Sequence, residues 1–354
     1  MGSTALATLK TLAIAAVGGV LFKFLGTPMP WMLGSLIICM VASQFIANVH
    51  VPTVFREILQ PVLGVSLGSF FTPSLFSELS RWPAVLAILA AYLVVATLFG
   101  VFYFRRVAGY DLTTAFFSAI PGGLADLTLV GASMGANIVL LGLIHSIRVL
   151  MVVVSIPFIL SLFAGPIVST GARAVVPLEL YGLVILTLCG IVGYVFGRVT
   201  RMPAGGVLAP LLVSAAVHLM GITNSSPPAS MINVVQVVLG AYIGARFVDL
   251  QWSHFRSALI HGLIWGTGLI LLSILAAFLC SQVTDFGLAQ LLLGFAPGGV
   301  AEMGLLTIAL GIDVALVTTC HVARVILVYM IVPIATRGGT LKPVPVKDTG
   351  LTDD

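Results

Sequence analysis

The sequence predicts an all-α polytopic membrane protein built from two inverted repeats, and three observations lead to that prediction. The first is composition: 59% of the 354 residues are hydrophobic and only 8% are charged, with a mean hydropathy of +1.17. A soluble domain carries roughly 25% charged residues, so a bilayer must surround most of this chain. The second is an internal repeat, and the third is a Pro-Gly-Gly break in each half. In a membrane protein, Lys and Arg residues set the orientation of the helices. The net charge of +4 therefore does not indicate nucleic-acid binding, and we expect no nucleic-acid partner.

Ten apolar segments are predicted to cross the bilayer as helices, because about 20 apolar helical residues span its hydrocarbon core. Five lie in the first half, at about 4–24, 31–48, 54–72, 82–104 and 138–163. Five lie in the second, at about 176–200, 206–223, 229–248, 256–281 and 313–336. One further segment in each half carries the Pro-Gly-Gly break. The polar segment 337–354 is predicted to be a disordered cytoplasmic tail.

The two halves of the chain are copies of each other. Residues 121–157 and 297–333 align without a gap at an offset of 176, with 12 of 37 positions identical. Two shorter matches, QPVLGVSLGSFF with QVVLGAYIGARF and TPMPWMLGSL with MPAGGVLAPL, have offsets of 176 and 175. We therefore predict one repeat over residues 4–163 and a second over 176–336.

Charge placement indicates that the broken segments, about 110–136 and 285–312, enter the membrane and return as hairpins. If both crossed completely, the two membrane faces would carry eight and six Lys or Arg residues. If both return, the faces carry eleven and three, which is typical of the positive-inside rule. Five crossings per repeat then invert the second repeat and place both termini in the cytoplasm. We expect the protein in the inner membrane of a bacterium. The alternative to returning hairpins is that each broken segment crosses the membrane completely.

The two breaks are predicted to form a binding site at mid-membrane. Backbone without hydrogen-bond partners is tolerated at that depth only inside protein or beside a cavity, and paired broken segments in inverted repeats point to a transport site. Each break begins a half-helix whose first amides and dipole favour an anion. Glycine permits close approach to the backbone, so the candidate binding residues are Gly122, Gly123, Gly298 and Gly299. A hairpin turn packed in protein is the alternative.

Acidic residues near the breaks are candidates for coupling to a cation. Asp126 and Glu302 occupy matched positions in the first turn of each half-helix. A carboxylate there either caps the helix or binds H⁺ or Na⁺. Asp313, which matches Asn137 in the first repeat, is a third candidate.

The helix after each break carries a histidine and an arginine three residues apart, and therefore on one face. These are His145 with Arg148 and His321 with Arg324. An arginine within an apolar run is a functional candidate that faces the protein interior or a cavity, and its planar fork suits a carboxylate or phosphate. We expect both arginines to contact substrate, and both histidines are further candidates to do so. The alternatives are an ion pair of each arginine with Asp126 or Glu302, and histidines satisfied in the core.

Gln60 and Gln236 occupy matched intramembrane positions, each followed by the pattern LGxxxG. The glycine spacing allows close helix packing, and the glutamines are candidates to line the site. The chain has no HExxH, GxSxG, GxGxxG or P-loop motif, so we expect no enzyme activity and no metal or cofactor beyond a coupling H⁺ or Na⁺.

The tips PGGLADL and APGGVAE, each followed by a helix with H-x-x-R, resemble the AbrB membrane-protein family over residues 10–336. Family members are often labelled ammonia monooxygenases, which the scattered histidines do not support, and the name is shared with an unrelated DNA-binding protein. The layout is also similar to elevator-type transporters of the citrate/2-hydroxycarboxylate group.

These resemblances imply a homodimeric secondary transporter of a small organic anion, most simply a carboxylate, coupled to H⁺ or Na⁺. Two alternatives stay open. One is a cation or proton exchanger with Asp126 and Glu302 as ion ligands. The other is a membrane enzyme or regulatory component that transports nothing.

Overall fold

The computed structural model describes residues 2–27, 29–46, 48–73, 75, 79–122, 124–164, 179–247 and 252–337. Within these ranges all regular structure is helical. Seven of the described helices are long and apolar enough to cross a membrane. The predicted all-α polytopic membrane fold is therefore confirmed. The predicted tail lies almost entirely outside the described residues, as do Gly123 and residues 165–178.

Each half of the described chain contributes seven α-helices in the same order. The first half holds α1 (Gly2–Phe24), α2 (Pro30–Phe45), α3 (Thr53–Gly68), α4 (Trp82–Arg106), α5 (Leu112–Ala119), α6 (Leu124–Ser133) and α7 (Ile138–Ala164). The second holds α8 (Leu180–Val199), α9 (Gly205–Leu219), α10 (Ala229–Gly244), α11 (Trp252–Ser281), α12 (Leu288–Phe295), α13 (Val300–Leu310) and α14 (Val314–Arg337). Short 3₁₀ turns at Leu79–Arg81 and Ala245–Phe247 precede α4 and follow α10.

Each broken segment forms two short helices, α5 with α6 and α12 with α13. They contain 8, 10, 8 and 11 residues, which at 1.5 Å per residue correspond to about 12–17 Å. The hydrocarbon core is about 30 Å thick, so no one of these four helices can cross it alone. The membrane face from which each hairpin enters stays a prediction.

Three of the ten predicted crossings are shorter than a typical membrane span. Helices α2 and α3 contain 16 residues each and α9 contains 15, whereas α10, also of 16 residues, continues into the 3₁₀ turn that ends at Phe247. Helices α2 and α9 begin alike, because their N-cap residues Met29 and Ala204 both have a left-handed backbone with φ of 50°. Such a conformation is uncommon for residues other than glycine. The same local turn therefore stands at both matched positions.

The helices pack into two bundles. The first, which we call the glycine-packed bundle, contains α1–α3 and α8–α10, and the second, the hairpin bundle, contains α4–α7 and α11–α14. In the glycine-packed bundle, helices of the first half pack directly on helices of the second half: α3 packs on α9, and α2 packs on α10. A Cβ atom at Gly68 would lie 2.5 Å from the Leu211 carbonyl oxygen, and one at Gly244 would lie 2.5 Å from that of Leu36. The glycines of the two LGxxxG patterns thus let paired backbones touch.

Candidate functional site

Each helix break is held by the arginine of its own repeat. Arg148 on α7 donates from Nη1 to the carbonyl oxygen of Ile120 at 3.2 Å and from Nη2 to that of Gly122 at 2.6 Å. Arg324 on α14 makes the matched pair of bonds, to Ala296 at 2.6 Å and to Gly298. The fork of a guanidinium group suits two neighbouring acceptors. Both arginines therefore stabilise carbonyl groups that the interruption of the helix leaves without helical partners.

The contact of each arginine with backbone carbonyl groups is one that the sequence did not predict. The sequence predicted a substrate or a carboxylate as the partner of each arginine. Arg148 and Arg324 are each only 2% exposed. Neither lies within 4 Å of the Glu302 carboxylate, and the Nε atom of each has no hydrogen-bond partner among the described residues. The side chain of Asp126 lies outside the described residues. Among the described side chains no carboxylate therefore lies close to either guanidinium group, and a buried positive charge favours a nearby anion.

A cavity of about 330 Å³ opens between the two bundles at the helix breaks. Its lining includes six residues predicted from sequence: Gln60, Gly122, Arg148, Gly299, Glu302 and Arg324. They come from α3, from both breaks, and from α7, α13 and α14, so the tertiary fold brings both repeats to one polar space. Further lining residues come from the N-terminal turn of α9 and from α8.

Glu302 lies at the N-terminus of α13, where Gly299 is the N-cap residue. Its side chain is partly buried and folds back over Gly299, so that a Cβ atom at position 299 would overlap Glu302 Oε2 and stand 3.0 Å from the carboxyl carbon. Among the described residues the carboxylate forms no ion pair. A negative group at this helix end interacts favourably with the dipole, and it faces the cavity that the two arginines also line.

The two predicted histidines do not line the cavity. His145 and His321 are fully buried, and among the described residues only a backbone group stands within reach of each ring for a hydrogen bond. The backbone of Phe117 lies beside His145, and that of Leu293 lies beside His321. This placement gives no support to direct substrate contact.

Asp313, Gln236 and Gly298 also stand outside the cavity lining. Asp313 Oδ1 accepts from the backbone N–H groups of Ala315 at 3.0 Å and Leu316 at 3.2 Å, so it caps α14. Asn137 Oδ1 accepts from Leu140 N–H at 3.1 Å at the matched end of α7. Gln236 is 5% exposed, whereas its match Gln60 is half-buried and lines the cavity. Gly298 provides the carbonyl that Arg324 binds.

Several residues at the cavity mouth were missed from sequence. Arg198, which is 70% exposed, stands with Nη2 3.9 Å from Glu57 Oε2 and with its guanidinium 5.4 Å from the ring centroid of Tyr194. Arg56 lines the same cavity. Neither arginine was among the site residues predicted from sequence, where both counted only toward the orientation of the helices in the membrane. Gly206 lies beside the Gln60 side chain and belongs to a Gly-Gly pair at the start of α9. That pair is the sequence feature from which a place in the site could have been predicted.

Fold and site define a multi-pass membrane protein in which two broken hairpins meet at a polar, arginine-lined cavity. The family model described as "Transition state regulatory protein AbrB" matches residues 31–338. The chain therefore belongs to the AbrB family.

Two relatives extend over nearly the whole chain. "Uncharacterized protein YhjN" of Bacillus subtilis (strain 168) is 31% identical over 347 residues, which cover 91% of this chain and 90% of the relative. "Putative regulator AbrB" of Escherichia coli (strain K12) is 23% identical over 321 residues, which cover 88% of this chain and 90% of the relative.

Proposed function

We propose that this protein is a secondary active transporter of a small organic anion, most simply a carboxylate. The observation that carries the proposal is that Arg148, Arg324 and the two helix breaks meet at one cavity between the bundles. Two buried guanidinium groups and the N-terminus of α13 contribute positive potential to the same space. A cavity of about 330 Å³ falls at the lower end of the range for small-molecule sites, so the substrate is a small acid.

Coupling to H⁺ or Na⁺ through Glu302, and through Asp126 at the matched position, follows from the charge of the site. The Glu302 carboxylate faces the cavity at the end of α13 where the anion would meet free amides. Two negative groups repel each other at short range in a weakly polar interior. A proton or Na⁺ at Glu302 would remove that repulsion, and anion and cation would then move together.

The division into two bundles supports an elevator-type movement. The glycine-packed bundle is tied by backbone contacts at Gly68 and Gly244, whereas each hairpin is tied by its arginine to the helix that follows it. The hairpin bundle would therefore move as a unit against the glycine-packed bundle. We expect the latter to form a homodimer in a bacterial inner membrane, with both termini in the cytoplasm.

Two other functions stay as candidates. A cation or proton exchanger is favoured by the lack of an ion pair at Glu302 among the described residues, since a free carboxylate could bind the ion directly. A regulatory role is suggested by the name of the Escherichia coli relative, although a polar cavity inside the membrane is not a feature that regulation requires.

Ligand stabilisation and uptake distinguish these functions. Purified protein is heated with acetate, lactate, malate or citrate at several Na⁺ concentrations and pH values, and the acids that raise the melting temperature are then tested for uptake into proteoliposomes. Transport predicts stabilisation by at least one acid and uptake driven by a proton or Na⁺ gradient. Stabilisation by cations alone, together with loss of ion flux in Glu302→Gln but not in Arg148→Gln, would instead indicate an exchanger.

A further inference from the structure

The contact between the two bundles is one-sided, although the sequence is repeated. Helices α13 and α14 pack on α3, and a Cβ atom at Gly304 would lie 2.7 Å from Cδ1 of Leu67. The repeat matches this pair with Thr128 on α6 and Ile243 on α10. Within the described residues, α6 and α7 have no comparably extensive contact with α10.

Inside each bundle, by contrast, the contacts obey the repeat. The α3–α9 packing has its match in α10–α2, and Arg148 binds its break as Arg324 binds its own. Because the matched surfaces have related sequences, packing of the first hairpin on α10 would resemble the existing packing of the second hairpin on α3. Two arrangements of similar free energy are then available to one chain.

The matched glutamines show the same asymmetry. Gln60 lines the cavity, whereas Gln236 is buried and its Oε1 atom has no hydrogen-bond partner in the described structure. A buried polar atom without a partner is rare in native proteins and calls for an explanation. Exchange of the packing would place Gln236 at a cavity, as Gln60 is placed now.

The residues at the existing mouth have matched positions in the first repeat. At the existing mouth the Arg198 guanidinium lies 5.4 Å from the Tyr194 ring centroid. The match of Arg198 at an offset of 175 is Lys23, and Lys23 Nζ lies 5.9 Å from the centroid of Trp31. Trp31 matches Gly206, the glycine beside Gln60. Both repeats of the glycine-packed bundle thus place a cation over an aromatic ring, at Arg198 and at its match Lys23.

We infer that Gln236, Trp31 and Lys23 line a second access path to the same site, opposite the Arg198 mouth. The path opens when α6 packs on α10 and the contact between Leu67 and Gly304 is released. This inference rests on the proposed transport function, because it describes how the site would reach the other face of the membrane. It also assigns a role to the Oε1 atom of Gln236, which has no hydrogen-bond partner among the described residues.

Paired cysteines test the inference directly. In full-length protein whose four native cysteines are replaced, Leu67→Cys with Gly304→Cys reports the existing packing, and Thr128→Cys with Ile243→Cys reports the exchanged packing. The control is Gly294→Cys in a chain that retains Cys320, because a Cβ at position 294 would lie 3.3 Å from that of Cys320, close to disulfide geometry. This control pair lies within the hairpin bundle and is expected to form in both arrangements.

Oxidation in proteoliposomes should cross-link all three pairs, and the first two should respond in opposite directions to added citrate or malate. Absence of the Thr128–Ile243 cross-link under every condition, while the control forms, would overturn the inference. Should the cysteine-free background not fold, hydrogen exchange of unmodified protein in nanodiscs replaces it: segments 29–33 and 204–208 should change protection in opposite directions, and parallel changes would overturn the inference. Cross-linking of both pairs without uptake of any acid would contradict the transport function but leave the exchange of packing intact.

Discussion

Replacing Gly299 with alanine tests whether the start of α13 receives the anion. Gly299 has φ of −80° and ψ of 161°, an extended conformation that alanine adopts without strain. Alanine narrows the unfolded ensemble, which stabilises the protein by about 0.4–1 kcal/mol, but it is a poorer N-cap than glycine, which costs a similar amount. The free energy of unfolding should therefore change by less than about 1 kcal/mol.

Ligand binding should respond very differently. The new methyl group would overlap Glu302 Oε2 and stand 3.0 Å from the carboxyl carbon, so the carboxylate must move and the methyl must enter the cavity at the exposed helix end. An anion held away from those amides loses one or two charge-assisted hydrogen bonds, each worth about 1.5–3 kcal/mol. At 1.4 kcal/mol per tenfold, we expect affinity to fall by at least about tenfold.

Calorimetric titration of the acid that stabilises the wild-type protein measures this loss, and thermal unfolding measures stability. Gly287→Ala is the matched control, because Gly287 is the N-cap of α12 with an equally permissive φ of −64°. A Cβ atom there would meet only Gln290 Oε1, at 3.6 Å. Wild-type affinity in Gly299→Ala, or an equal loss in both variants, would refute the assignment of the α13 N-terminus to anion binding.

Three further substitutions separate binding from stability. Arg324→Gln removes both bonds to the second break and should lower the free energy of unfolding by about 3–5 kcal/mol and abolish anion binding, whereas the exposed Arg198→Gln should change stability by less than about 0.5 kcal/mol; equal stability of the two variants in chemical unfolding would contradict the role at the break. Glu302→Gln should make uptake independent of the proton or Na⁺ gradient while anion binding persists, and unchanged gradient dependence in liposomes would exclude Glu302 as the coupling group. Asp313→Ala should cost about 1 kcal/mol through loss of the α14 cap and leave ion dependence unchanged; a lost ion response would instead support the predicted coupling role.

The helical class, the repeated order of elements and the positions of the breaks could all be predicted from local sequence patterns. Proline and paired glycines interrupt a helix through purely local effects, the missing N–H and the backbone entropy. The hairpin predicted at 110–136 accordingly contains the two helices at 112–119 and 124–133. The arginines stood out for a similarly simple reason, since a charge within an apolar run requires a specific partner.

The partner of each arginine, in contrast, could not be predicted from sequence and depends on how the chain folds back on itself. Arg148 binds carbonyl groups 26 and 28 residues earlier in the chain, and no local pattern specifies how a hairpin of that length folds back. Gln60 and Gln236 have nearly the same neighbours in sequence, yet one lines a cavity and the other is buried. Their difference arises from the relative position of the two bundles, which depends on many weak contacts between distant residues rather than on any local segment.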